Sequence, residues 1–71
     1  MPEIYCQDKP TNSVYLFVGT RDRGFWSYMG EANDINTQRK LKKAIESGHK
    51  VVFTRPEAVQ LTGIRIPGGG K

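Results

Sequence analysis

Two short runs of β-branched and aromatic residues lie close together in this chain, and they constrain its fold more than any other feature. Residues 14–18 and 25–29 both have the composition of strands. The segment between them contains Asp22, which favours turns, and Gly24, which can take the positive φ that closes a turn into a bulge. We therefore predict a β-hairpin.

An amphipathic helix is predicted after the hairpin. Asp34 or Asn36 can accept hydrogen bonds from its first free amides, and Gly48 can end it after about Ser47. Small and apolar residues recur at helical spacing on one side, and charged residues occupy the other. The predicted apolar side contains Thr37, Leu41, Ala44 and Ile45, and the charged side contains Arg39, Lys40, Lys42, Lys43 and Glu46.

Two further strands are predicted outside the hairpin. Residues 4–6 precede a turn-forming cluster and are expected to form a short edge strand. Residues 51–53 are apolar on both faces, which is typical of a strand in the middle of a sheet.

The last stretch of the chain permits two interpretations. Thr54 and Glu57 have the spacing of a capping box, which predicts a short helix over residues 57–61 that ends near Gly63. The alternative is a strand with a bulge at Gly63. Residues 64–66 alternate and could form a closing strand in either case.

These elements predict a small α+β domain over residues 1–67, with residues 68–71 as a flexible tail. The sheet is expected to have three or four mainly antiparallel strands and one principal helix, in the order β-β-α-β. A chain of 71 residues supports only one small core. Its lone Cys6 excludes an intramolecular disulfide, and no apolar run approaches the roughly 20 residues of a membrane span. We expect a cytoplasmic protein.

The sequence gives little support to an enzyme. The one thiol, Cys6, and the one imidazole, His49, are 43 positions apart, so a nucleophile pair would require the fold to bring them together. Neither predicted helix places two carboxylates on one face, so neither a glycosidase pair nor a cage for a hard metal is indicated. We predict no catalytic residues, no metal and no cofactor.

The register of the hairpin determines where its aromatic rings lie. If Phe17 pairs with Trp26, four rings gather on one face of the sheet and the aliphatic residues gather on the other, facing the helix. A shift of one residue would mix the two sets. We favour the first register, which turns the four rings outward as a binding surface. The alternative is that the rings form a core or an interface, covered by the N-terminal segment or by a partner subunit. This aromatic face contains Tyr15, Phe17, Trp26 and Tyr28.

Charge is distributed unevenly along the chain. Residues 1–36 contain three basic and five acidic side chains, whereas residues 37–71 contain eight basic and two acidic ones. The resulting one-sided positive field attracts polyanions or acidic protein surfaces. The cations predicted to contact such a partner are Arg21 and Arg23 at the hairpin tip, Arg39, Lys40 and Lys43 on the helix, and Lys50 and Arg65 near the sheet.

These features lead to two functional hypotheses. Stacking rings framed by cations favour a non-catalytic module that binds nucleic acid. The alternative is a small regulator or inhibitor, of the type used by viruses or mobile elements, that docks on an acidic surface of a larger host complex. Neither hypothesis involves a membrane or a small-molecule substrate.

Overall fold

The computed structural model describes residues 3–66, in which a three-stranded meander precedes two helices separated by a short strand. The elements are β1 (Ile4–Asp8), β2 (Ser13–Thr20), β3 (Arg23–Glu31), α1 (Ile35–Glu46), β4 (Lys50–Val52) and α2 (Arg55–Thr62).

The four strands form one mixed sheet in the order β3-β2-β1-β4. β2 is antiparallel to both β1 and β3, whereas β4 is parallel to β1. The predicted α+β class with a mainly antiparallel sheet is therefore confirmed, with one parallel pair and a second helix.

The two helices lie on opposite faces of the sheet. Ala44 of α1 lies beside Tyr5 and Met29, whereas Ala58 of α2 packs in a cluster with Cys6. Neighbouring residues of a strand point to opposite faces, so Tyr5 and Cys6 of β1 contact different helices.

The predicted positions of the first and last strands are wrong. β1 lies inside the sheet between β2 and β4, and β4 lies at the edge. An apolar sequence on both faces does not require a central position here, because helices cover both faces of the sheet. Val52 is buried although β4 is an edge strand, and Phe53, beyond its end, is exposed.

The predicted hairpin and its register are confirmed, but the positive φ expected at Gly24 is wrong: Asp22 in the turn has it instead, and Gly24 pairs with Gly19 within the sheet. Phe17 pairs with Trp26, and the two-residue turn Arg21-Asp22 joins β2 to β3. The register shifts between Val14 and Tyr15, where a β-bulge leaves one extra residue in β3.

The predicted cap of α1 is also confirmed. The Asp34 carboxylate accepts hydrogen bonds from the backbone amides of Asn36 and Thr37, each at 3.1 Å. Thr37 and Ala44 are buried as expected, but Ile45 is exposed. The apolar stripe of α1 is therefore narrower than its sequence suggests.

Of the two alternatives for the last stretch, a helix and a strand, the structure shows the helix. Thr54 caps α2 by accepting a hydrogen bond from the Glu57 amide at 3.3 Å, and Gly63 ends the helix in the left-handed conformation. Residues 64–66 do not form a strand. They pass over the same face of the sheet as α2, where Ile66 is buried. The predicted tail, residues 68–71, lies outside the described residues.

Neither α1 nor α2, the helices found between residues 3 and 66, is long and apolar enough to cross a membrane.

Candidate binding surfaces

The rings of the predicted aromatic face gather on one side of the sheet, but three of the four lie in the core. The centroids of Phe17 and Trp26 are 5.2 Å apart, and those of Tyr15 and Tyr28 are 5.7 Å apart. α2 and residues 64–66 cover Phe17, Trp26 and Tyr15. Trp26 is 4% exposed and its Nε1 donates a hydrogen bond of 2.8 Å to the Ile64 carbonyl oxygen.

The expectation that the aromatic face points outward is therefore wrong for Tyr15, Phe17 and Trp26, and it holds for Tyr28, which is 58% exposed. The reason is that one helix covers only one face of a sheet, and the sheet is stabilised by burying the other face as well. The sequence did contain a signal for this burial. The helical spacing of Ala58 and Leu61 and the alternation of Ile64 and Ile66 give the last stretch an apolar side that can cover the rings.

Arg21, predicted to contact phosphates, instead caps the C-terminal end of α2. Its guanidinium Nη1 donates hydrogen bonds to the carbonyl oxygens of Gln60 at 2.9 Å and Leu61 at 3.1 Å. The Asp22 amide donates to the Thr62 carbonyl oxygen at 2.7 Å. These bonds satisfy carbonyls that lack helical partners and attach the hairpin tip to α2.

An ion pair that sequence reasoning missed attaches the opposite end of α2 to the sheet. Arg55 Nε and Nη2 donate to the two carboxylate oxygens of the buried Asp8, at 2.8 and 2.7 Å. Thr11 also donates to this carboxylate. The hydrogen bonds from Arg55 hold the pKa of Asp8 below its usual value, against the opposing effect of burial. No local pattern signals a pair separated by 47 positions.

The two side chains considered for nucleophilic chemistry have separate environments. Burial raises the pKa of the Cys6 thiol to about 11, which suppresses the reactive thiolate at neutral pH. His49 Nδ1 accepts a hydrogen bond of 2.8 Å from the Glu3 amide. Residues 3–66 contain no group of three His, Cys, Asp or Glu side chains that could hold a metal ion.

The basic side chains of α1 form the one predicted cationic cluster that remains together on the surface of the described chain. We define this basic face as Arg39, Lys40, Lys42 and Lys43. All four are exposed, and none makes an ion pair within residues 3–66.

The other predicted cations are dispersed. Arg23 is exposed at the hairpin tip. Lys50 pairs with Ile4, whose side chain contacts the core beneath α2. Arg65 lies between two residues that contact the same core and is exposed beside Pro56. Lys50 and Arg65 are therefore on the side of the sheet opposite the basic face.

No protein-family model, curated protein or solved structure matches this chain. The functional argument therefore rests on the geometry of these surfaces.

Proposed function

We propose that this chain is a small, non-catalytic module that binds nucleic acid through the basic face of α1. The observation that carries the proposal is four cations within five consecutive positions, Arg39 to Lys43, all exposed and unpaired in the described part of the chain. The full chain has a formal net charge of +4, which adds long-range attraction to polyanions.

The spacing of these cations suits a phosphate backbone. Four residues of helix rise about 6 Å and turn through more than one full revolution. Arg39, Lys42 and Lys43 point away from the buried side of α1, because Thr37 and Ala44 define the opposite side. Several phosphates of one strand are therefore within reach of long, unconstrained side chains.

The composition of the basic face favours nucleic acid over protein. Protein interfaces are depleted in Lys and use aromatic residues as anchors, and this face has three Lys and no aromatic ring. Phosphate contacts require only positive charge and reach.

Burial of Trp26, Phe17 and Tyr15 changes the expected mode of binding. Stacking on bases would require α2 and residues 64–66 to leave the sheet, which would expose the core. The module is therefore expected to follow the backbone of a duplex with little sequence preference and with a steep dependence on salt.

The test measures fluorescence anisotropy of labelled duplex DNA and duplex RNA over a series of salt concentrations. Wild-type protein with up to four phosphate contacts should give a slope of log K against log salt of about −3 to −4. The variant K42Q/K43Q should weaken binding and reduce the slope by about 2. The matched control is K50Q/R65Q, which removes the same charge from the opposite side and should bind almost as the wild type does.

Equal losses in the two double variants would contradict the proposal, because they would indicate attraction to net charge alone. No binding of either duplex at low salt would also contradict it. The second candidate, a regulator that docks on an acidic protein, would then be preferred, and the exposed Ile35 and Ile45 on α1 favour it. These two side chains could supply the apolar contacts that the basic face lacks.

A further inference from the structure

Part of the sheet remains uncovered on the α1 side. Leu16 pairs with Tyr5, which lies beside α1, so alternate residues of β2 and their partners in β3 share this face. Phe25 is 58% exposed, and its partner Val18 is 40% exposed. Leu16 and its partner Ser27 are half-buried. α1 therefore covers this face near β1 and leaves the hairpin open to solvent at Phe25 and Val18.

Two lysines of the basic face border this open area. Lys40 and Lys43 line a cavity whose other wall contains Met29 of β3. Both lysines are exposed, and neither makes an ion pair within residues 3–66. Because Met29 and Phe25 belong to the same strand and lie on the same side of the sheet, the lysines mark one end of a surface that runs along β3 to the hairpin tip.

A third cation marks the other end of this surface. Arg23 lies two residues before Phe25 in β3, so its side chain leaves the same face of the sheet. It is exposed and has no ion-pair partner in the described part of the chain. Arg23 and Met29 are about 20 Å apart along the strand. We define the β3 strip as the α1-side surface formed by Arg23, Phe25, Ser27 and Met29.

The acidic groups near the β3 strip interrupt its positive field little. The extra residue of the β-bulge turns Glu31, at the end of β3, to the α2 side of the sheet. Glu3 is on the α1 side, where its carboxylate accepts a hydrogen bond of 2.9 Å from the Tyr5 hydroxyl and lies 3.8 Å from His49 Nε2. It precedes β1, which β2 separates from β3. An exposed ring between cations is therefore complementary to a flexible polyanion that has flat apolar groups.

We propose that the β3 strip binds a single-stranded segment of nucleic acid, with one base stacked on Phe25 and neighbouring phosphates beside Lys40 and Arg23. This mode of binding rests on the function proposed for the basic face and extends it. The basic face holds a duplex, and the β3 strip takes a single-stranded extension of that duplex. Rings flanked by cations suit single strands, because every unpaired base has a face that can stack. The bases of a duplex are already stacked on each other, so a blunt duplex gains nothing from Phe25.

The test compares a labelled blunt duplex with the same duplex carrying a single-stranded extension of about four nucleotides, made in both polarities. Fluorescence anisotropy measures the affinities. Wild-type protein should bind one of the extended duplexes about 5- to 150-fold more tightly than the blunt one, which is the range expected for stacking of one base. F25A should remove this gain and leave the affinity for the blunt duplex unchanged. F25L keeps an apolar side chain without a π-face and should also lose most of the gain.

Y28A is the matched control for F25A. Tyr28 belongs to the same strand and is exposed to the same extent as Phe25, but it lies on the α2 side of the sheet. Y28A should therefore retain the gain. R23Q should reduce the slope of log K against log salt by about 0.7 for the extended duplex only. R65Q, on the α2 side, should leave both slopes almost unchanged. Circular dichroism establishes that each variant is folded.

Two results would overturn the proposal and leave the function of the basic face intact. One is a wild-type protein that binds blunt and extended duplexes equally. The other is an equal loss in F25A and Y28A, which would show that stacking does not occur on this face.

A free single strand separates the remaining cases. If it binds only when Phe25 is present and the blunt duplex does not bind, the β3 strip is supported and the duplex mode of the basic face is contradicted. If none of these nucleic acids binds, both proposals fail.

Discussion

Replacing Trp26 by alanine should unfold most of the protein or leave it barely stable. The indole is buried against α2 and residues 64–66 and donates a hydrogen bond to the Ile64 carbonyl oxygen. Removing a buried tryptophan side chain costs about 3–5 kcal/mol. A domain of this length has a free energy of unfolding of only about 4–10 kcal/mol in total, so the loss is a large fraction of it.

The conservative variant W26F separates packing from hydrogen bonding. It keeps an aromatic ring in the core and removes the Nε1 donor. The Thr62 hydroxyl has one hydrogen, which it donates to the Ala58 carbonyl oxygen at 2.7 Å, so the Ile64 carbonyl oxygen loses its main donor and the expected cost of the lost bond is about 1–3 kcal/mol. Y28A removes an exposed ring from the same face and should also cost about 1 kcal/mol, most of it from the edge contact with Tyr15.

Urea denaturation monitored by circular dichroism measures the free energy of unfolding of all three variants, since this signal does not depend on tryptophan emission. In the wild type, Trp26 fluorescence should resist quenching by acrylamide until the protein unfolds. Ready quenching of the native protein, or a W26A variant with wild-type stability, would refute the burial of this side chain. Either result would return Trp26 to an exposed surface suited to stacking.

Two further predictions concern the attachment of α2. D8N should cost about 1.5–3 kcal/mol through its weakened bonds to Arg55. Because the native pKa of Asp8 is held below its unfolded value of about 3.9, the ionised carboxylate stabilises the fold above that pH, and this contribution is lost as the pH falls through the lowered native pKa. Urea titrations from pH 7 to pH 2 should show the free energy of unfolding falling more steeply in the wild type than in D8N. If the free energy falls equally in both proteins, the stabilising role of ionised Asp8 is contradicted. G63A should destabilise the protein more than G48A in thermal denaturation. Both positions have positive φ, with a strain of about 1–2 kcal/mol, but only a Cβ on Gly63 would overlap the Asp22 carboxylate. An equal fall in melting temperature in G63A and G48A would show that the overlap with the Asp22 carboxylate has no effect on stability.

Local patterns predicted the individual elements well. The hairpin follows from two apolar runs around a turn, and its register follows from separating aromatic from aliphatic residues. The capping of α1 by Asp34 and of α2 by Thr54 depends on residues within three positions of each other. Such interactions are visible in sequence because the partners are neighbours along the chain.

The candidate site was predicted less well, because exposure depends on distant segments. The four rings were correctly placed on one face, yet α2 and residues 64–66 bury three of them. Arg21 was predicted as a surface cation and instead bonds to carbonyls about 40 positions away. The prediction of exposed cations on α1 is confirmed because Arg39, Lys42 and Lys43 lie away from the buried side of their own helix, a relation that helical periodicity alone defines, and Lys40 is exposed beside that side.

The hairpin, the N-terminal cap of α1 and the basic face follow from the sequence alone, since each depends on periodicity or on contacts between near neighbours. The sequence also favoured the observed register, and it left a helix capped by Thr54 as one of two alternatives for the last stretch. Contacts between distant segments set the internal position of β1, the covering of the aromatic face by α2 and the ion pair between Asp8 and Arg55. These features depend on the path of the chain after α1. That path is selected by the burial of both faces of the sheet together, a condition that no single segment expresses.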